Sequence, residues 1–185
     1  VFYQGGEEKQ FDPIPDTWHK MLHILLFWAG KQVDGFRCDM AEMVPREFWA
    51  WAIEQVKKEY PNILFIAEVY NPNLYRDYLA AGFDYLYDKV GMYDYLRGVT
   101  SKNWAAEGIT MQWQSVDDIR DRMLYFLENH DEQRIASDFF AANAKRALSA
   151  LIVSTTIASQ PFMLYAGEEL GEKGMDKEGY SGVDG

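Results

Sequence analysis

The sequence of 185 residues contains a single cysteine, Cys38. An internal disulfide and a thiolate metal cluster are therefore both excluded. Secreted proteins also lack disulfides, so this leaves the compartment open. No apolar run reaches the ~18 residues that would cross a bilayer as a helix, and no membrane partner is expected. Basic residues are outnumbered 18 to 29, for a net charge of −11. Such a chain repels polyphosphates, so nucleic acid is not an expected partner. There is no repeat, no low-complexity stretch and no linker. No signal peptide is visible, although the chain opens on Val1 rather than Met. The expectation is a soluble globular protein, whether cytoplasmic, periplasmic or secreted.

Apolar residues make up 48% of the chain, enough for one domain with a real core. Aromatic residues reach 16%, with 6 Trp and 12 Tyr. Most such rings fill a core, and the rest could stack on a flat apolar ligand face such as a sugar.

The order of elements is informative. Asp16 reads as an N-cap, and TWHKMLHILLFWAGK follows with Trp18, Met21, Leu22, Leu25, Leu26 and Ala29 on one helical face, stopped at Gly30. VDGFRCD is a short strand. PREFWAWAIEQVKKEY is a helix with Phe48, Trp49, Ala52, Ile53 and Val56 as its stripe. ILFIAEV is a near-continuous apolar run, as expected of a strand covered on both faces. PNLYRDYLAAG reads as a helix closed by Gly82, FDYLYD as a strand and MYDYLRGV as a short helix. Residues 100–112 read as a loop, SVDDIRDRM as a helix, LYFLEN as a strand and SDFFAANAKRALSALIVSTTIAS as a long helix. PFMLYAG is the last strand, followed by a glycine-rich loop, EELGEKGMDKEGYSGVDG.

Strands alternating with helices imply parallel pairing and right-handed crossovers. A doubly wound sheet would carry a glycine-rich phosphate turn near its first strand, and none occurs there. A (β/α)8 barrel needs eight strands in ~250 residues, and five are visible. The expected fold is α/β, a partial (β/α)8 TIM barrel from about strand four to strand eight with the preceding helix. Residues 1–185 would form one partial catalytic-barrel domain lacking strands one to three.

In parallel α/β folds, chemistry gathers at the C-terminal ends of strands. Three strands end in acids: Asp39, Glu68 and Asp131. Asp39 and Glu68 are 29 positions apart, one βα unit, and Glu68 and Asp131 are 63 apart, two units. In a barrel all three would project into one mouth. Strand alternation puts Arg37 on the side of Asp39, with Phe36 and Cys38 facing the helix layer. A guanidinium beside Asp39 favours an ionised carboxylate, fit for a nucleophile or a cation stabiliser. Glu68 follows ILFIA, and apolar surroundings disfavour its charge, which suits a general acid. One strand-end acid is more often a cap or a solvated loop residue. Three in series, with Arg37 two places before one and His130 next to another, point to chemistry. A divalent-metal site is the competing use of three carboxylates, and Arg37 beside the central ligand would repel the ion. His19 and His23 share a helical face but lack a third ligand, so no metal ligands are assigned.

DGFRCDMAEMVP, FIAEVYNP and FLENHDEQR together resemble three sequence signatures of the α-amylase family of glycoside hydrolases and transglycosylases. QPFMLYAGEELG is similar to that family's last barrel strand, and LLFWAGKQVDGFR to its approach to strand four. The resemblance implies a (β/α)8 barrel acting with retention at α-glucosidic bonds. It gives Asp39 the role of nucleophile, Glu68 that of acid/base and Asp131 that of transition-state stabiliser. Arg37 would hold Asp39 ionised at the substrate site and His130 would donate a hydrogen bond to the sugar at the reacting subsite, with Glu42, Tyr70 and Asn129 as further candidate substrate-binding residues. The partner implied is an α-linked glucooligosaccharide or polysaccharide. Many amylases carry Lys-His three and four positions after the nucleophile, where this chain has Glu42 and Met43. That departure bears on acceptor-side contacts and on the calcium site some members build there. No cofactor is assigned, with calcium left open for the full-length enzyme.

The family's signature after strand three, Asp-x-x-x-Asn-His, is absent from the chain, as are strands one to three and the loop domain that follows strand three. The expectation is therefore a fragment of a retaining α-glucan-active hydrolase, inactive by itself, with self-association through open sheet edges as a physical outlet. Two alternatives are a transglycosylase of the same family and a non-catalytic amylase-like binding domain. A metal-dependent barrel lyase is a third.

Overall fold

The computed structural model describes residues 11–174. The chain divides into two compact units, residues 1–86 and 87–185.

The first unit opens with α1 (Asp16–Ala29), leading to β1 (Gly35–Cys38). Asp16 is the first helical residue rather than the cap expected; Pro15 holds the N-cap position. Asp16 instead pairs with Lys20 one turn on, and its charge suits the positive end of the helix. Only Leu22 and Ala29 of the predicted stripe are fully buried, and Met21 is exposed, as are Ile24, Phe27 and Trp28. A short 3₁₀ turn (Ala41–Met43) precedes α2 (Arg46–Glu59), whose buried residues are the predicted Phe48, Trp49, Ala52, Ile53 and Val56. Trp18 of α1 packs against Phe48 and Trp51 at ring separations of 5.4 and 5.9 Å.

β2 (Leu64–Ala67) is buried at Phe65 and Ala67, but Leu64 is exposed and Ile66 half-buried, so the strand is not covered equally on both faces. A 3₁₀ turn (Pro72–Leu74) and α3 (Tyr75–Ala80) lead to Gly82, at φ +112°. That backbone angle disfavours side chains, and a Cβ would press on Ile53. β3 (Tyr85–Tyr87) ends at the boundary. β1 pairs in parallel with β2, and β2 with β3. Register sets Arg37 beside Ile66 and Cys38 beside Ala67, so Asp39 and Glu68 emerge from the same end of neighbouring strands.

The second unit begins with a π-helix (Lys89–Tyr93) that runs into α4 (Asp94–Lys102). Asp88 caps it by accepting the N–H groups of Gly91 and Met92 at 3.1 and 3.0 Å. Of the loop expected over 100–112, residues 103–107 are non-helical, while its two ends are the last turn of α4 and the start of α5 (Gly108–Ser115). Its turn relies on tertiary approach: the Trp104 ring lies against Gly98, and the Tyr95 hydroxyl against Gly108, where a Cβ would collide. SVDDIRDRM is not a helix beyond a single 3₁₀ turn (Arg120–Arg122).

β4 (Met123–Phe126) is buried throughout. The long helix expected from Ser137 is confined to α6 (Ala144–Thr156), because Asn143 caps it, its side chain accepting the Arg146 N–H at 3.1 Å. β5 (Phe162–Met163) pairs in parallel with β4. The last part of the predicted glycine-rich loop lies outside the described residues.

Candidate active site

The strand end of β1 answers why an arginine stands two residues before a carboxylate. The Arg37 guanidinium pairs through Nη1 with the Asp39 carboxylate. Its Nη2 lies 2.7 Å from Oε1 of Glu68. One guanidinium thus joins the acids that end two neighbouring strands.

The two acids differ in setting. The Asp39 side chain is 71% exposed, that of Glu68 only 3%. Glu68 accepts the Met40 N–H at 2.8 Å on Oε2 and the Tyr70 hydroxyl at 2.8 Å on Oε1. The surroundings expected to be apolar are therefore polar donors, brought by the turn after β1 and by Tyr70. The backbone fastens the same place: Glu68 N–H donates to Cys38 O at 3.1 Å, and Ala41 N–H to Glu68 O at 3.0 Å. Met40 takes a left-handed backbone, φ 43°, which turns its N–H onto the Glu68 carboxylate.

Glu42 Oε2 accepts the Asn71 N–H at 3.0 Å and so ties the turn after β1 to the loop after β2. Cys38 points into the core, and burial pushes its thiol up to about 12 against the pull of Arg37. It is no nucleophile at neutral pH. His19 and His23 are exposed, and His19 lies edge-on to Trp51.

In the second unit, Asp131 follows β4. Asn129, fully buried, accepts the Asp131 N–H at 2.9 Å through Oδ1. His130 Nε2 lies 3.3 Å from Asp131 Oδ2. Buried Glu128 accepts the Ile135 N–H at 2.8 Å and pairs with Arg134 Nε at 3.0 Å. Arg134 also donates to Ala166 O at 2.8 Å. The segment 128–135 is thereby closed on itself.

Two further acids here were missed at the sequence level. Burial drives the Asp88 carboxyl up to about 6, opposed by its capping N–H groups. Glu168 is raised to about 7 by burial, with the Tyr165 N–H opposing and Glu128 adding. Both follow apolar strand segments, the same signal that singled out Glu68. Among the described residues no group of three or more His, Cys, Asp or Glu is placed to hold a metal ion. No helix among the described residues is long and apolar enough to cross a membrane.

Parallel βα units with acids at the strand ends define the site as that of a (β/α)8-type protein. The family model for the α-amylase catalytic domain matches residues 14–184, and the chain belongs to that family. It is 34% identical over 170 residues to the α-amylase MalA of Haloarcula japonica, covering 89% of this chain and 24% of that protein. It is 28% identical over 109 residues to an α-1,4-glucan:maltose-1-phosphate maltosyltransferase of Cereibacter sphaeroides, covering 55% of this chain and 17% of that one.

Among solved structures, an α-amylase from Lactobacillus plantarum matches with a TM-score of 0.71 at 25% identity, over 93% of this chain and 47% of that one. A cyclic α-maltosyl-(1→6)-maltose hydrolase from Arthrobacter globiformis gives a TM-score of 0.76 at 20% identity, over 92% of this chain and 39% of that one. The fold is thus part of a (β/α)8 barrel. The chain spans less than half the length of each of these four proteins.

Proposed function

We propose that this chain carries the acid pair of a retaining enzyme acting on α-linked glucans, and that hydrolysis is its reaction. The observation that carries this is the single guanidinium of Arg37 held between Asp39 and Glu68 at the ends of paired strands. Retention needs two carboxyl groups about 5–5.5 Å apart, and the contact of both acids with one guanidinium supports their proximity.

Asp39 is the nucleophile, and its exposure leaves it open to a sugar. Glu68 first gives a proton to the glycosidic oxygen. A carboxylate oxygen of Asp39 bonds to the anomeric carbon as the bond to the leaving oxygen breaks. Glu68, now a carboxylate, takes a proton from water; the water oxygen attacks the same carbon and Asp39 is released. The hydrogen-bond donors and the guanidinium on Glu68 all treat it as an acceptor, the state it holds in the second half of this cycle. Asp131 stabilises the oxocarbenium-like transition state, and His130 donates to the sugar. Tyr70 orders Glu68, Asn129 orders the Asp131 backbone, and Glu42 orders the loop after β2.

Transfer to a second sugar is the alternative outcome of the same intermediate, favoured by the maltosyltransferase relatives. β1 and β5 each pair on one side only among the described residues, so the chain alone is expected to turn over poorly and to associate through these edges.

The test is trapping. A 5-fluoro-α-glucosyl fluoride slows breakdown of the intermediate, and peptide mapping of the protein carrying this sequence should find the sugar on Asp39. A sugar on another residue, or turnover with inversion, overturns the proposal.

A further inference from the structure

Lys89, Tyr93 and Arg97 recur every fourth residue through the π-helix and into α4. All three end on one carboxylate, that of Glu132. Tyr93 donates its hydroxyl to Oε2 at 3.0 Å, Arg97 Nη1 donates to the same oxygen at 3.3 Å, and Lys89 Nζ lies 3.1 Å from Oε1. Glu132 is 5% exposed. Lys89 is itself anchored by Asp94 at 2.9 Å, and Arg97 reaches Phe139 O at 3.5 Å. The Tyr93 ring stacks on Phe126 of β4 at 5.0 Å, so its hydroxyl has little freedom. A buried carboxylate with two cations and a phenol is costly to assemble and costly to break. Its neighbour in sequence is Asp131.

We propose that Glu132 is a positioning residue for Asp131, fixing the backbone of the 129–132 segment to the π-helix. This rests on the role given to Asp131 under the proposed function. Asn129 holds the Asp131 N–H from one side, and Glu132 clamps the next residue from the other. The Asp131 side chain is half-buried and meets His130 Nε2 at 3.3 Å. π-helical turns are often kept at functional sites, and here the turn brings Lys89 and Tyr93 onto the carboxylate.

The experiment uses the protein carrying this sequence and compares Glu132→Gln, Tyr93→Phe and Asp131→Asn. Glu132→Gln keeps shape and loses the charge that compensates Lys89 and Arg97. It should lower kcat by about 10- to 100-fold, the scale of a misplaced catalytic group, with KM within about two-fold. The loss should be equal on maltooligosaccharide and on α-glucosyl fluoride, because Asp131 serves both whatever the leaving group. Tyr93→Phe removes one hydrogen bond, keeps the ring stack and should show the same pattern at a smaller fold-change. It decides the matter should Glu132→Gln fail to fold.

A fall in folded fraction with unchanged kcat per folded molecule, or a rise in KM alone, would overturn the positioning role. Asp131→Asn at full activity would instead overturn the assignment of Asp131. The two failures are therefore distinct.

Discussion

Arg37→Met is the most informative single substitution. Methionine keeps much of the apolar stem and removes the guanidinium. The two pairs it breaks are unequal. Asp39 is 71% exposed, so water and salt replace its partner, and that side contributes less than about 1 kcal/mol. Glu68 is 3% exposed and loses a cation 2.7 Å away. Removing one partner of a buried pair costs about 3–5 kcal/mol, because the other charge is left uncompensated. Met40 N–H and the Tyr70 hydroxyl remain as donors, so the lower end, about 3 kcal/mol, is expected.

Urea unfolding of Arg37→Met, Glu68→Gln and the double variant measures this directly. In the Glu68→Gln background the cost of losing Arg37 should shrink by about 2 kcal/mol, since no buried charge is stranded. Additivity within about 0.5 kcal/mol would refute the idea that Arg37 acts mainly on Glu68.

Glu68→Ala should keep measurable turnover of α-glucosyl fluoride, whose leaving group needs little protonation, and lose nearly all activity on maltooligosaccharides; Asp39→Ala should lose both, as read by fluoride release and reducing-sugar assays. Asp88 has its folded value raised to about 6 from 3.8, so its contribution to stability is complete below about pH 4 and is lost as pH rises through 6. Asp88→Asn should therefore remove about 3 kcal/mol of pH-dependent loss between pH 4 and 7, seen as a flatter Tm–pH profile than the parent's. Asn143→Ala should cost about 1 kcal/mol by unfolding the first turn of α6, read by denaturant melts.

The elements legible in the sequence were those in which burial and periodicity agree. α2 hides one stripe against α1 and the sheet, so the five apolar residues spaced along it were found where expected. Each strand was visible as a short apolar run, and the acids after β1, β2 and β4 as interruptions of those runs. The helix in the segment 100–122 is not legible because α5 buries little: Gly108 is its one fully buried residue and Met111 is exposed. Its position comes from Trp104 on Gly98 and Tyr95 on Gly108, contacts between residues that no local period relates. The region before α6 was misread for the opposite reason: its apolar residues suggested a helix, but the Asn143 cap starts the helix after them. The environment of Glu68 was misjudged because the donors that surround it come from a left-handed turn at Met40 and from Tyr70, and neither follows from the apolar strand before it.

The unequal exposure of the two acids is itself an argument for their separate roles. A nucleophile has to reach carbon, and a side chain walled in on every side could not do so. Asp39 projects beyond the strand with a cation at its flank, which orients one oxygen and leaves the other open. A group that gives and later takes a proton does not need to move, but it must hold its direction through both halves of the cycle. Glu68 is held by the Met40 N–H on one oxygen and by the Tyr70 hydroxyl and Arg37 on the other, so its rotation is blocked at both ends. The exchange of these two residues, Asp39→Glu with Glu68→Asp, would conserve charge and chemistry. It would still move each carboxyl by about one methylene, lengthening the exposed arm and pulling the buried one off its donors. On the scale of a misplaced catalytic group that is about a hundred-fold in rate.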